Sequence, residues 1–478
     1  MISFKKETLK DKIYACWIGK NIGGTMGTPY EGTREILDLS GFSTEPGVVL
    51  PNDDLDLQLV WLRAMDELGP EGVDEQSLAE YWITYIGPNW NEYGIGKNNL
   101  RDGLLPPLSG QCFNEQWLHS NGAWIRTEIW ACLYPGSPEN AIRYAFYDAC
   151  VDHGYGEGTY AAIFIAAMES AAFVFDDIQV LLDIGLSKIP ADCRVAKSVQ
   201  LVRECYENGV YWKETRERLV EQSRDIGWFQ APANVGFVVL GLLYGQCDFK
   251  KSMILALNCG DDTDCTGATV GSLLGIMKGT AGIPADWRQY IGDSIVTICN
   301  LNGHGAWPKS NLELTDQVMN LHPVTLRNSC YRPAHQMIEI GEVQDISQVS
   351  PEDFMGDDLI QELFTRSPYS FRTKGLYCEV WAELDREPVI EPNGSISGHI
   401  YLKNIRMPEQ KHYHLRWILP EGWLCSGRKN ICVTSAEGRR EAFTITAGEQ
   451  VQPVQRIILE VTSAARPTAV YLPITLLG

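Results

Sequence analysis

The stretch that most restricts how this chain can fold is Asn258-Cys259-Gly260-Asp261-Asp262-Thr263-Asp264-Cys265-Thr266-Gly267-Ala268-Thr269. It crowds three carboxylates directly before a small, apolar run, 270–277, that reads as a buried helix. Acidic groups at the mouth of a buried helix repel one another unless something positive sits between them. Carboxylate oxygens are preferred ligands of hard cations such as Mg²⁺, Mn²⁺ or Ca²⁺. A second knot, Asn52-Asp53-Asp54-Leu55-Asp56, lies far earlier and also precedes an apolar run, 57–62. The two knots are expected to meet around metal. Read singly, each is equally an acidic helix start favoured by the helix dipole.

The 478 residues leave room for two domains, and 45% apolar with 21% charged residues is the make-up of a folded globular chain. A net charge of -21 disfavours a nucleic-acid surface, which needs a basic footprint. It leaves open a small anionic ligand held by a local pocket. The fourteen cysteines form no paired Cys-x-x-Cys set, and the Cys259 to Cys265 interval is not a zinc spacing. Residues 1–7 carry no hydrophobic signal core, and no apolar run reaches the roughly 18 residues of a membrane span. A reducing, cytoplasmic setting away from membranes, with free buried thiols, is the expectation.

Helical spacing runs through residues 7–28 (Leu9, Ile13, Cys16, Trp17, Ile18), and glycines crowd its end. Such glycines let helices approach closely. Glu31 follows on a turn between Pro29 and Gly32, where a carboxylate can act as an acid or base. A second helix spans 53–68. Residues 81–124 hold Trp82, Trp90, Trp117 and Trp124 among amides, prolines and glycines, with little periodicity, and long segments of that kind tend to be functional. Rings beside amides suit sugar or base recognition, although a single such ring more often plugs a core. Further helices are predicted from 121 towards 133 and over 138–150, 159–175, 189–208, 212–225, 235–244 and 285–300. The 159–175 run is apolar on every side and so belongs in a core. After Pro323 short alternating runs appear at 377–384, 396–402, 413–418, 430–434, 454–461 and 469–476, as in a β-sandwich. The chain is therefore expected to be mainly α: an all-α domain over 1–322, a shoulder over 323–370, and a smaller β-sandwich over 371–478 without a catalytic cluster.

Over about residues 10–310 the motifs resemble the ADP-ribosylglycohydrolase family, metal-dependent hydrolases with an all-α fold related to dinitrogenase-reductase-activating glycohydrolase. Trp17-Ile18-Gly19 through Gly24-Thr25-Met26-Gly27 is similar to the family's glycine-bearing first helix, and Tyr30-Glu31 to the glutamate that follows it. Asn52-Asp53-Asp54 stands where the family has Thr-Asp-Asp. Asn121-Gly122-Ala123 resembles the segment that touches ribose and phosphates, and Asp152-His153 falls where a Thr-His pair occurs. Asp262-Thr263-Asp264-Cys265 resembles the Asp-x-Asp-Thr metal motif. There are two departures. Asn52 replaces a threonine, and its amide oxygen still ligates a hard cation. Cys265 replaces a threonine whose hydroxyl binds metal; a thiol is a poor partner for Mg²⁺, so either Thr266 takes over or one metal position is weak.

What the resemblance implies is hydrolysis of a glycosidic bond at a ribose anomeric carbon. One or two Mg²⁺ ions, with Mn²⁺ or Ca²⁺ as alternatives, would be held by Asn52, Asp53, Asp54, Asp262, Asp264 and Cys265. Glu31, Asp54 and Asp262 would be catalytic, with Glu31 orienting or deprotonating water. Asn121, Gly122, Ala123 and His153 would contact substrate. That substrate is an ADP-ribosylated molecule, or a small furanoside or nucleoside-like glycoside. A third reading is a metal-dependent sugar- or nucleotide-binding protein without turnover.

Overall fold

The computed structural model describes residues 2–300, 306–326, 330–332, 337–340, 349–405, 411–434, 437–464, 466 and 468–478. Strand β1 (Ile2–Lys5) leads into α1 (Lys6–Gly27). There follow α2 (Asp53–Leu68), α3 (Glu75–Tyr85), α4 (Asn91–Asp102) and the short α5 (Leu108–Gln111). Next come α6 (Glu128–Leu133), α7 (Pro138–Asp152), α8 (Glu157–Ala171) and α9 (Ile178–Leu186). They are succeeded by α10 (Arg194–Glu207), α11 (Trp212–Gln222), α12 (Ala231–Tyr244), α13 (Phe249–Asn258) and α14 (Thr263–Lys278). The helical part closes with α15 (Ala285–Ile291) and α16 (Asn311–Thr325).

Helix α2 begins where expected because the Asn52 side chain accepts from the Asp54 amide at 2.7 Å, and it stops at Gly69, whose φ is +67°. Helix α8 is buried nearly all round, as its Ala, Ile and Phe content requires. At the centre, α1 lies against α14 with glycine facing glycine. A Cβ on Gly19 would fall 2.0 Å from the Gly271 carbonyl oxygen, and one on Gly23 2.0 Å from that of Gly267. Gly275 meets the Ala15 carbonyl in the same way, at 2.3 Å. The two helices thus touch backbone to backbone, which no other residue permits.

The remaining elements are β2 (Cys330–Arg332), β3 (Met337–Ile340), α17 (Asp358–Leu363), β4 (Ser370–Lys374), β5 (Cys378–Leu384), β6 (Ser395–Asn404) and β7 (Lys411–Ile418). Then come β8 (Leu424–Gly427), β9 (Asn430–Val433), β10 (Arg439–Thr446), β11 (Val454–Ser463) and β12 (Ala469–Leu477). They form a five-stranded antiparallel sheet, β4-β5-β6-β10-β8, and a four-stranded one, β12-β11-β7-β9. A separate three-stranded sheet, β1-β3-β2, ties the N-terminus to residues 330–340.

Several expectations differ from what is observed. Residues 81–124, which show little periodicity in sequence, hold the end of α3 and all of α4 and α5, which fold through packing that their glycine- and amide-rich sequence does not advertise. The helix expected from residue 121 is a 3-10 turn over Trp124–Arg126 followed by α6. Strands β1, β2, β3, β4, β8 and β10 lie outside the alternating runs that marked the others.

The sandwich does not complete its own interior. Leu104, Leu108 and Cys112, from the segment around α5, are fully buried members of its core. Thr475 donates to the Gly103 carbonyl at 3.1 Å, and Gln76 of α3 to the Arg372 carbonyl at 2.8 Å. Buried Glu75 bridges Arg366 (2.7 Å) and Arg372 (3.1 Å).

Candidate metal centre and active-site cleft

The glycine contacts place the two acidic knots. With α1 and α14 in backbone contact, the start of α14 comes to the end of α1, where Thr263 donates to the Gly27 carbonyl at 2.8 Å. Gly24 leaves room for the Asn52 amide, since a Cβ there would lie 2.4 Å from it. Both knots are helix starts, so the dipole reading of each was correct locally. They also meet, which a pair of unrelated helix starts would not do.

Ligand atoms of Asp54, Asp264 and Cys265 lie within 4.8 Å of one another, and so do those of Glu31, Asp262 and Asp264. Asp264 belongs to both groups. Asp264 Oδ1 and Asp54 Oδ2 are buried without a hydrogen-bond partner among the described residues. Repulsion from Asp264, with partial burial and Asp53 adding to it, pushes the Glu31 carboxyl up to about 8. Burial lifts Asp264 to about 6, and it takes Asp54 and Asp262 well above the usual carboxylate range. These carboxyls cannot all ionise together without a counter-cation. The oxygen-rich set, with orphaned buried oxygens, fits a hard divalent ion. Cys265 does not turn it into a soft-metal site: its thiol donates to Asp54 Oδ1 at 3.4 Å, and burial together with the surrounding aspartates keeps it protonated.

The other members of the knots have separate duties. Asp56 accepts the backbone amides of Ile298 and Cys299 and so fixes that strap. Asp261, with φ +67°, is locked by the Phe229 amide at 3.0 Å and the Asn234 amide group at 2.9 Å. The Thr266 hydroxyl is committed to the Thr263 carbonyl at 3.2 Å. Beneath Asp54 lies Lys20, 3.7 Å from Oδ2, with its ammonium on Glu128 Oε1 at 2.7 Å and the Ile125 carbonyl at 2.8 Å. Burial alone would strip its proton, but Glu128 and Asp54 outweigh that and keep it charged.

A cleft of about 320 Å³ opens over these groups. Glu31 stands at its solvent rim, and Asn52, Asp53, Asp262, Asp264 and Cys265 line it. Asp53 stands outside the two tight ligand groups, and the Tyr93 hydroxyl donates to it at 2.8 Å; the Asn52 side-chain oxygen is taken by the Asp54 amide. The remaining lining comes from the start of α4, residues 120–122, Phe229 and single residues of the flanking loops, among them Thr28, Pro51, Ile125 and Ile298. Asn121 donates to Asp262 Oδ2 at 2.6 Å and accepts from Trp124 Nε1 at 3.1 Å, so it orients a carboxylate of the acidic cluster. Gly122 lines the cleft, whereas Ala123 is buried behind it. His153 is fully buried and also lies behind, with Nε2 2.9 Å from Ser120 Oγ and Nδ1 2.8 Å from Asp152 Oδ1. Arg126 holds Asp152 from the far side at 2.8 Å and also binds Asp148. Among the tryptophans of 81–124, Trp90 lines the cleft with 47% exposure, whereas Trp82 and Trp124 are core.

Sequence reasoning missed Lys20, Glu128 and the cleft residues Glu92 and Tyr93. A usable signal existed for the first two: a lone charge inside an apolar helical run is rarely buried unless paired. The thirteen cysteines whose side chains are described are free, and among the described residues no helix is long and apolar enough to cross a membrane.

A family model described as ADP-ribosylglycohydrolase matches residues 5–320. No curated protein matches the chain. Among solved structures, an ADP-ribosylglycohydrolase-related protein complex is similar at 18% identity, over 67% of this chain and 99% of that one, with a TM-score of 0.42. A FixG-related protein from Vibrio parahaemolyticus is similar at 12% identity, over 21% of this chain and 94% of that one, with a TM-score of 0.19.

Proposed function

This chain belongs to the ADP-ribosylglycohydrolase family, and we propose that it is a metal-dependent glycoside hydrolase cleaving the bond at a ribose anomeric carbon of an ADP-ribosylated substrate. The observation that carries this reading is the shared position of Asp264 between two buried ligand groups, one of which includes the rim carboxylate Glu31. Asp54, Asp262 and Asp264, with Asn52, Asp53 and Cys265 beside them, would hold one or two Mg²⁺ ions, Mn²⁺ or Ca²⁺ being alternatives. Such an ion supplies positive charge for sugar oxygens and for the attacking water.

The chain's own groups do the rest. Glu31, open to solvent, orients water and takes its proton. Asn121 fixes Asp262, and Gly122 keeps the cleft floor thin. Ala123 and His153 support that floor from behind. Carboxylates gathered near the anomeric carbon stabilise an oxocarbenium-like transition state. Free buried thiols support a reducing, cytoplasmic setting.

One observation favours a second reading. The described side chains lining the cleft include Glu31, Asp53, Glu92, Asp262 and Asp264 but no Lys, Arg or His. Lys20 and Arg126 lie beneath it, committed to Glu128, Asp148 and Asp152. A compact, uncharged furanoside or nucleoside-like glycoside suits such a lining better than a diphosphate does.

Calorimetric titration with Mg²⁺, paired with assays of sugar release from ADP-ribose conjugates and simple furanosides, tests the proposal. The wild type binds Mg²⁺ and releases sugar. A folded Asp264→Ala variant loses binding and about 100-fold or more in rate. Undiminished affinity and release in that variant would overturn the reading.

A further inference from the structure

Glu92, in the first turn of α4, has no assigned task, yet its placement is that of a working group. It lines the cleft while being only 6% exposed. Its Oε2 has no hydrogen-bond partner among the described residues. A buried polar atom left unmatched at a cleft wall costs stability unless something arrives to use it. The surrounding chain is shaped to keep the carboxyl there. A Cβ on Gly122 would fall 2.3 Å from Glu92 Oε1, so residue 122 carries no side chain while Glu92 occupies its position.

Behind it stands a fixed polar row. His153 Nε2 lies 4.0 Å from Glu92 Oε1 and 2.9 Å from Ser120 Oγ, and Asp152 holds the other ring nitrogen. Arg126 in turn bonds both Asp152 oxygens, at 2.8 and 3.1 Å. Glu92, Asp152 and His153 are close enough to hold a cation. The guanidinium of Arg126 on Asp152 argues against one, because it already supplies the positive charge.

We propose that Glu92 is the acid that protonates the departing half of the substrate, so that this site acts on alcohol- or amide-type leaving groups that need a proton to depart. The inference rests on the glycosidase reading above. The bond from the anomeric carbon to the leaving oxygen or nitrogen breaks with its electron pair on that atom, which takes the proton from Glu92. Water adds its oxygen to the anomeric carbon and gives one proton to Glu31. Solvent then returns a proton to Glu92 and removes one from Glu31. The products are a free sugar and a neutral leaving group.

Burial supports this by lifting the Glu92 carboxyl up to about 7, with His153 and Ser120 opposing and Asp152 adding to the lift. The acid thus keeps a proton to give near neutrality. Glu31 stands at the solvent rim of the cleft and Glu92 is buried against His153, so base and acid work fall to two separate places.

The test uses full-length protein with Mg²⁺ and four probes: ribose and ADP-ribose, each linked to 4-nitrophenol or to methanol. A 4-nitrophenolate leaves without a proton; methoxide does not. Glu92→Gln is expected to lose about 100-fold or more on the methyl probes and less than about 5-fold on the 4-nitrophenyl probes. Glu92→Asp keeps an acid one methylene shorter and falls between on the methyl probes. Equal loss on both leaving groups, or loss on neither, overturns the proposal. If Glu92→Gln melts below assay temperature, the Glu92→Asp ratio between the two leaving groups decides in the same way. A wild type that cleaves none of the four probes would defeat the glycosidase reading itself, and this inference with it.

Discussion

Two joints hold this molecule together, and they work by opposite means. Between α1 and α14 the closest approach is backbone on backbone: Gly19, Gly23, Gly267 and Gly271 let carbonyls and Cα atoms touch. Between the helical body and the sandwich the contact consists of side chains. Leu104, Leu108 and Cys112 enter the other core, and Glu75 reaches Arg366 and Arg372. The first joint cannot accept an added atom, and the second cannot spare one. The difference follows what each must position. The glycine joint brings the start of α14 against the end of α1, and with it the carboxylates of the proposed metal cluster. The seam joins two large bodies, and interdigitated apolar groups do that well.

The contrast is most exposed at Gly271. Alanine there puts a methyl 2.0 Å from the Gly19 carbonyl oxygen, with only backbone to give way. We expect a loss above about 4 kcal/mol, beyond ordinary overpacking, seen as insoluble or unfolded protein. A Gly271→Ala variant melting within a degree of the wild type would break the comparison. Leu108→Ala tests the seam by deletion. A fully buried leucine removed from a core that closes around it should cost about 4 kcal/mol in urea unfolding. A loss under about 1 kcal/mol would show the seam to be superficial.

Glu75 sharpens the picture through pH. Burial would raise its carboxyl, but Arg366 and Arg372 outweigh that and hold it at about 2, against an ordinary 4.5. A depressed folded value means the stabilisation is complete above pH 4.5 and fades as pH falls towards 2. The gap corresponds to about 3 kcal/mol. Wild type and Glu75→Gln should therefore differ by about that much at pH 6 and converge as the medium is acidified. A difference independent of pH would remove the ion triad from the account of the seam.

Much of the helical half was legible because its signals are local. The Asn52 cap and Gly69 stop bracket α2, and the unbroken apolar content of 159–175 could only be a core helix. The meeting of the two acidic knots was legible too, since crowded carboxylates before buried runs need a shared charge. What stayed hidden depends on partners remote in sequence. Asp54 and Asp56 look alike in the sequence, yet one faces Cys265 and Lys20 while the other holds the amides of residues 298 and 299. Asp261 and Asp262 are adjacent, but left-handed backbone turns the first to Phe229 and Asn234. Helix α4, Asn-Glu-Tyr-Gly-Ile-Gly-Lys-Asn-Asn-Leu-Arg-Asp, has too few apolar residues to show a period, so Glu92 had no helix to be placed on. Strand β1 is four residues long and finds its partner at 337–340.

The segment from Leu104 to Asn114 serves two masters. Its leucines plug the sandwich, while Ser109 and Asn114 grip the carbonyls of Val151 and Asp152, the very backbone that seats His153. A helical half trimmed to the family's span would carry three greasy pegs into water, fastened to the foundations of its own cleft. What looks like an appended module is a keystone, seated on the same segment that braces the backbone under the cleft.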